Sequence, residues 1–81
     1  MDGEQLRDVP ERLIVAPAVG VFEPAATAPD DVREGEAVGH VVTSGEKIPV
    51  RSHFAGALIG MLAVAGERVR EGQPIAWLRT A

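Results

Sequence analysis

Few side chains in this sequence could do chemistry, and they are scattered. His40 and His53 are the only histidines, and there is no cysteine. A closed metal site would need both plus carboxylates, and their separation fits no zinc motif. They read as ordinary surface or half-buried histidines, with a structural part for His53. Ser44 could be a nucleophile, yet its surroundings supply neither a base nor an oxyanion hole. Beside Gly45 it reads as a turn former. Asp30 and Asp31 could be a pair of acids for proton transfer, but adjacent acids in a polar loop point into solvent. Gly35, Gly66 and Gly72 are turn glycines and not a phosphate cradle, because no helix start follows them. Lys47 is the one lysine in a chain whose other seven basic residues are arginines. Nothing here assembles a nucleophile, a base and an electrophile, so the chain is not expected to be an enzyme in its own right.

Composition narrows the classes further. The 81 residues make a single domain near the lower size limit for a self-standing core. Val, Ala, Ile and Leu dominate the apolar set, and Phe22, Phe54 and Trp77 are the only aromatics. Short branched side chains suit a compact β structure. The formal net charge of −4 gives no electrostatic reason to expect nucleic acid or an anionic membrane as partner. No apolar run approaches membrane-spanning length, and Met1 to Gln5 has no signal-peptide character, so the expected location is cytoplasmic. Residues 1–11 read as a flexible leader and 12–81 as the domain.

The elements that must position these residues are short strands. Val41-Val42 and Ile48-Pro49-Val50 flank a small polar cluster centred on Ser44-Gly45. That is a hairpin pattern, with β-branched arms and a glycine where the tip needs φ > 0. With Ser44 and Gly45 as the turn pair, Thr43 faces Glu46, Val42 faces Lys47 and Val41 faces Ile48. Strands are also expected at Leu13 to Val15, Gly20 to Phe22, from Gly56 towards Leu62, and at Ile75 to Arg79. Gly60 is a candidate bulge. Residues 25–31 read as loop and 32–36 as a short turn segment. Trp77, alternating with Ile75 and Arg79, is expected to pack in the core, with an exposed interface anchor as the alternative.

The strongest organising signal is repetition. Residues 32–41 match residues 69–78 after a shift of 37, sharing the tetrapeptide Val-Arg-Glu-Gly. Residues 16–22 echo residues 52–58 after a shift of 36. A duplication of about four short strands joined by one hairpin predicts two small antiparallel sheets packed face to face. The hairpin then sits at a pseudo-two-fold joint.

Together these features resemble the biotinyl/lipoyl carrier domain family (biotin carboxyl carrier-like), over roughly Leu13 to Leu78. Ala16-Pro17-Ala18-Val19-Gly20-Val21-Phe22 is similar to the Ser-Pro-Met-Val-Gly-Thr-Phe opening of biotinyl domains. Glu67 to Ile75 is similar to the closing Gly-Asp-x-Val-x-x-Gly-x-x-Leu segment, and Ile48 to Gly56 to the strand after the hairpin. The resemblance implies an all-β fold: a flattened barrel-sandwich of two four-stranded antiparallel sheets with an internal pseudo-two-fold.

In the family, a lysine at the hairpin tip carries biotin or lipoate as a swinging arm between active sites. It lies eleven residues before the glycine that opens the second repeat. Counting back from Gly56 reaches Gly45, with Ser44 and Thr43 in place of its usual neighbours. The resemblance therefore implies a degenerate member without the attachment lysine or a covalent cofactor. Its tip, Thr43, Ser44, Gly45, Glu46 and Lys47, would serve protein contact, in an accessory subunit of an acyl-CoA carboxylase or related multienzyme complex. The alternative is a working carrier with biotin or lipoate on Lys47, two residues beyond the expected place. The register argues against it, since it puts Lys47 in an arm opposite Val42, where a solvated lysine discourages edge pairing. An oligomerisation sandwich like the adaptor domains of efflux systems is a third, weaker option.

Overall fold

The computed structural model describes residues 10–80. Residues 1–9, most of the expected leader, and Ala81 lie outside the described residues. Eight strands follow one another: β1 (Glu11–Val15), β2 (Gly20–Pro24), β3 (Asp30–Val32), β4 (Ala37–Thr43), β5 (Glu46–Arg51), β6 (Gly56–Met61), β7 (Arg68–Val69) and β8 (Pro74–Arg79). They form two four-stranded sheets, ordered β1-β8-β6-β3 and β5-β4-β2-β7, and every pairing is antiparallel. No helix occurs among the described residues.

The strand orders carry the duplication. Exchanging β1 with β5, β2 with β6, β3 with β7 and β4 with β8 turns one sheet into the other. The turns repeat with it. In the Val-Arg-Glu-Gly turn of the first half, Gly35 N donates to Ser52 O at 2.7 Å and Arg33 N to Glu36 Oε1 at 2.9 Å. In the second half, Gly72 N donates to Ala16 O at 2.8 Å and Arg70 N to Gln73 Oε1 at 3.0 Å. Each half therefore ties its turn to the strand exit of the other half. Two such turns satisfy backbone groups that would otherwise be orphaned at the sandwich ends.

The core lies between the sheets. Ile14, Leu58, Ala76 and Leu78 come from one, and Phe22, Val41, Val50 and Val69 from the other, all buried. Ser52 is the buried polar residue among those described; its hydroxyl donates to Phe54 O at 2.6 Å and accepts from Phe54 N at 3.1 Å. It thereby fixes the turn after β5 without an unpaired group.

Two expectations need correction. Residues 30–31, read as loop, begin strand β3, and Val32 completes it against β6. Three residues cannot announce a strand by periodicity; β6 supplies the ladder that makes them one. β7 is shorter still and owes its strand geometry to β2. Trp77 does not enter the core. Ala76 and Leu78 point inward and are fully buried, so Trp77 takes the outward face, half-buried, with its indole laid across Gly60. A Cβ at Gly60 would stand 2.6 Å from the indole Nε1, so the glycine makes room for the ring. The ladder of β6 with β8 slips between Leu58 and Gly60, the expected irregularity.

Phe22 is the largest fully buried side chain and the only aromatic in the core. Phe22→Ala should destabilise the domain by about 3–5 kcal/mol, comparable to the whole stability of so small a fold. Urea unfolding followed by circular dichroism measures it.

Candidate functional site

The β4–β5 hairpin adopts the expected register: Thr43 opposite Glu46, Val42 opposite Lys47, Val41 opposite Ile48. Ser44 and Gly45 form the tip, with φ of 47° and 80°. Both central residues are left-handed, the mark of a type I′ turn, whose twist matches that of the strands it joins. Glycine takes this conformation without cost and serine bears a strain of about 1–2 kcal/mol. A Cβ placed on Gly45 would meet no atom within 4 Å. The tip is open, and position 45 has room for any side chain, limited only by its backbone angle.

Lys47 is not at the tip. It lies in β5 on the outward face of its sheet, with its side chain 65% exposed, and its Nζ sits 3.3 Å from Glu23 Oε1. Glu23 belongs to β2, and the pair reaches across the intervening β4, diagonally between the Val42–Lys47 and His40–Glu23 pairings. At this exposure the pair contributes at most about 1 kcal/mol. Its consequence is one of direction: the ammonium lies over the sheet face and not beyond the tip.

The remaining candidates do not converge. His40 is half-buried on that same outward face, opposite Glu23, and His53 is exposed in the turn after β5. Asp30 and Asp31 sit on β3, at the edge of the other sheet, both exposed. Asp30 Oδ2 accepts a long bond of 3.4 Å from Thr27 N, which closes its own loop. An open cleft of about 540 Å³, lined by Val19, Arg68, Val69, Arg70 and Glu71, lies at β7, the sheet edge opposite β5. The sequence did not single it out, because its lining comes from two turns far apart in the chain. Thr43 to Glu46 thus make the hairpin end, Lys47 follows in β5, and none of the other candidate residues is brought to them.

No family model matches this chain, and no curated protein matches it. Solved structures do. Kluyveromyces lactis urea carboxylase matches 84% of the chain at 23% identity, with a TM-score of 0.78. A single-chain, multi-domain long-chain acyl-CoA carboxylase matches 89% at 17% identity and a TM-score of 0.81. A succinylglutamate desuccinylase/aspartoacylase from Rhodobacter sphaeroides matches 84% at 25% identity and a TM-score of 0.69. The chain spans only 6%, 7% and 21% of these three proteins. It thus has the fold of a small piece of much larger enzymes, carboxylases among them.

Gly45→Ala tests the tip geometry. With space for the methyl and a positive φ to hold, the variant should lose about 1 kcal/mol and keep its fold. A thermal scan beside the parent chain reads the difference.

Proposed function

We propose that this chain is a non-catalytic module of the biotinyl/lipoyl type that carries no covalent cofactor and acts by protein contact. Its setting is a carboxylase-type multienzyme system, in which it serves as an accessory part. One observation carries the reading: glycine occupies the summit of the hairpin, where a carrier fastens its coenzyme to lysine. An attachment lysine has to enter a ligase cleft ahead of the fold. Here the summit has no amine, and the only lysine lies along the sheet, ion-paired with Glu23. The carboxylase likenesses support the setting by fold alone. The likeness to enzymes named for removing succinyl and acyl groups fits the same scaffold serving as an appended structural piece. Thr43, Ser44, Gly45, Glu46 and Lys47 form the contact surface, presented on and beside a tight two-residue turn. No nucleic acid or membrane partner is part of the proposal, and its setting is the cytoplasm.

A second reading keeps Lys47 as an attachment point for biotin or lipoate. It is favoured by one fact: the ammonium is two residues past the summit and largely exposed. To reach a ligase it must first leave Glu23, a small cost for an exposed pair.

Intact-mass analysis of the chain purified from its native host separates the two. The mass of the polypeptide alone is expected, with nothing added on the peptide that holds Lys47. An added biotinyl or lipoyl mass, lost in Lys47→Arg, would reverse the order of the readings.

A further inference from the structure

β1 and β5 are counterparts under the exchange, and each is the outermost strand of its sheet. Each therefore leaves one row of backbone groups unpaired among the described residues. Such a row is a template for another strand unless it is blocked.

The hydrogen bonds at the strand ends show which residues form that row. Thr80 N donates to Pro10 O at 2.7 Å, and Ala16 N donates to Gln73 O at 2.9 Å. Even-numbered residues of β1 thus turn their main-chain groups towards β8, and by period-2 alternation Glu11, Leu13 and Val15 turn theirs to the open side. The extra residue that shifts the register belongs to β8, since Ile14 pairs with Ala76 and Val15 with Pro74, so β1 keeps its alternation. In β5 the matching bond is Ser52 N to Glu36 O at 2.9 Å. Lys47, Pro49 and Arg51 accordingly turn outward there.

The counterparts differ in what they carry. β5 has a proline at the centre of its open row, which deletes the central donor, and a cation on either side. Both devices block edge pairing. β1 has neither in its open row. Leu13 stands where β5 has Pro49, and Val15 where β5 has Arg51. Leu13 and Val15 are 54% and 44% exposed although both are apolar. Leu13 also pairs with Trp77, whose counterpart on the other sheet is His40. The edge and outward face of one sheet are defended and those of the other are apolar, and the two edge strands flank the same side of the sandwich.

We infer that β1 is a docking edge and that its occupant is β1 of a second copy, joined antiparallel about a two-fold axis through Leu13. The strand is self-complementary under that operation, as an isologous interface requires. Leu13 meets Leu13 of the second copy, and Glu11 meets Val15 of the second copy, each pair exchanging both main-chain bonds. Arg12 meets Ile14 of the second copy, so no like charges face each other. The Glu11 carboxylate is already held by Arg79 Nη2 at 3.0 Å, and the Arg12 guanidinium lies over the Phe54 ring, 5.3 Å from its centre. The joined sheet runs through eight strands, with Trp77, Leu13 and their copies in one apolar row. The same pairing about Pro49 in β5 would lose both central bonds. This inference is independent of the chemistry at the hairpin tip.

Sedimentation velocity of the full chain over a wide concentration range tests it, with amide hydrogen exchange at both ends of that range. The mass should climb from 8.5 kDa towards twice that value, with protection gained at Leu13 and Val15. Leu13→Pro, which copies the β5 edge and removes no bond to β8, should stay monomeric. Leu13→Lys sets like charges face to face at the axis and should do the same, which keeps the test decisive if the proline variant fails to fold. A wild-type chain that stays monomeric overturns the inference, whether its edge remains bare or takes up an extended segment of another protein. So does a folded Leu13→Lys variant that dimerises like the parent.

Discussion

The pairing of Thr43 with Glu46, closed by two left-handed residues, fixes the register of the β4–β5 hairpin and with it the face on which each of its side chains lies. Because side chains alternate, a one-residue slip in β5 would carry Val50 out of the core and Lys47 into it. Moving the turn two residues along the chain, a four-residue change of pairing, keeps the faces but makes Glu46 and Lys47 the turn pair. Both would then need positive φ, at about 1–2 kcal/mol each, while Gly45 would be spent in an extended arm. The observed register avoids both penalties. It also sets the one lysine two residues past the summit, on the sheet face beside Glu23.

The duplicated skeleton is held to its symmetry by backbone bonds, and its surfaces are free to diverge. The paired turns at Gly35 and Gly72 have matching bonds to Ser52 and Ala16. On the outward faces the equivalent positions hold His40 and Trp77, Pro49 and Leu13, Lys47 and Glu11. The backbone plan is common to both halves because it satisfies main-chain groups in both sheets. The side chains outside it are under no such demand, and there the two sheets have become different surfaces. A fold that occurs within carboxylases and within desuccinylases is consistent with this division of labour.

Much of this was legible in the sequence, and the rest was not for definite reasons. The hairpin could be read because β-branched arms and a lone glycine leave a single good turn. The two-sheet plan could be read because Val-Arg-Glu-Gly recurs and makes the same turn each time. β3 and β7 could not, since two or three residues become strand only through the neighbour they pair with. Trp77 was misread because irregular pairing in β8 leaves Ile75 and Ala76 both buried, which breaks a simple alternation. The Lys47–Glu23 contact was hidden for a related reason. It spans three strands and exists only once both of their registers are set.

Relocating the lysine tests the central claim most directly. The chain and its Gly45→Lys, Lys47→Arg variant are each offered to a biotin ligase and a lipoate ligase, with labelling mapped by peptide mass spectrometry. The account predicts label on the variant at position 45 and none on the parent chain. Labelling of the parent at Lys47, to the extent seen in the variant or beyond it, would contradict the claim that a glycine summit keeps this scaffold free of a coenzyme.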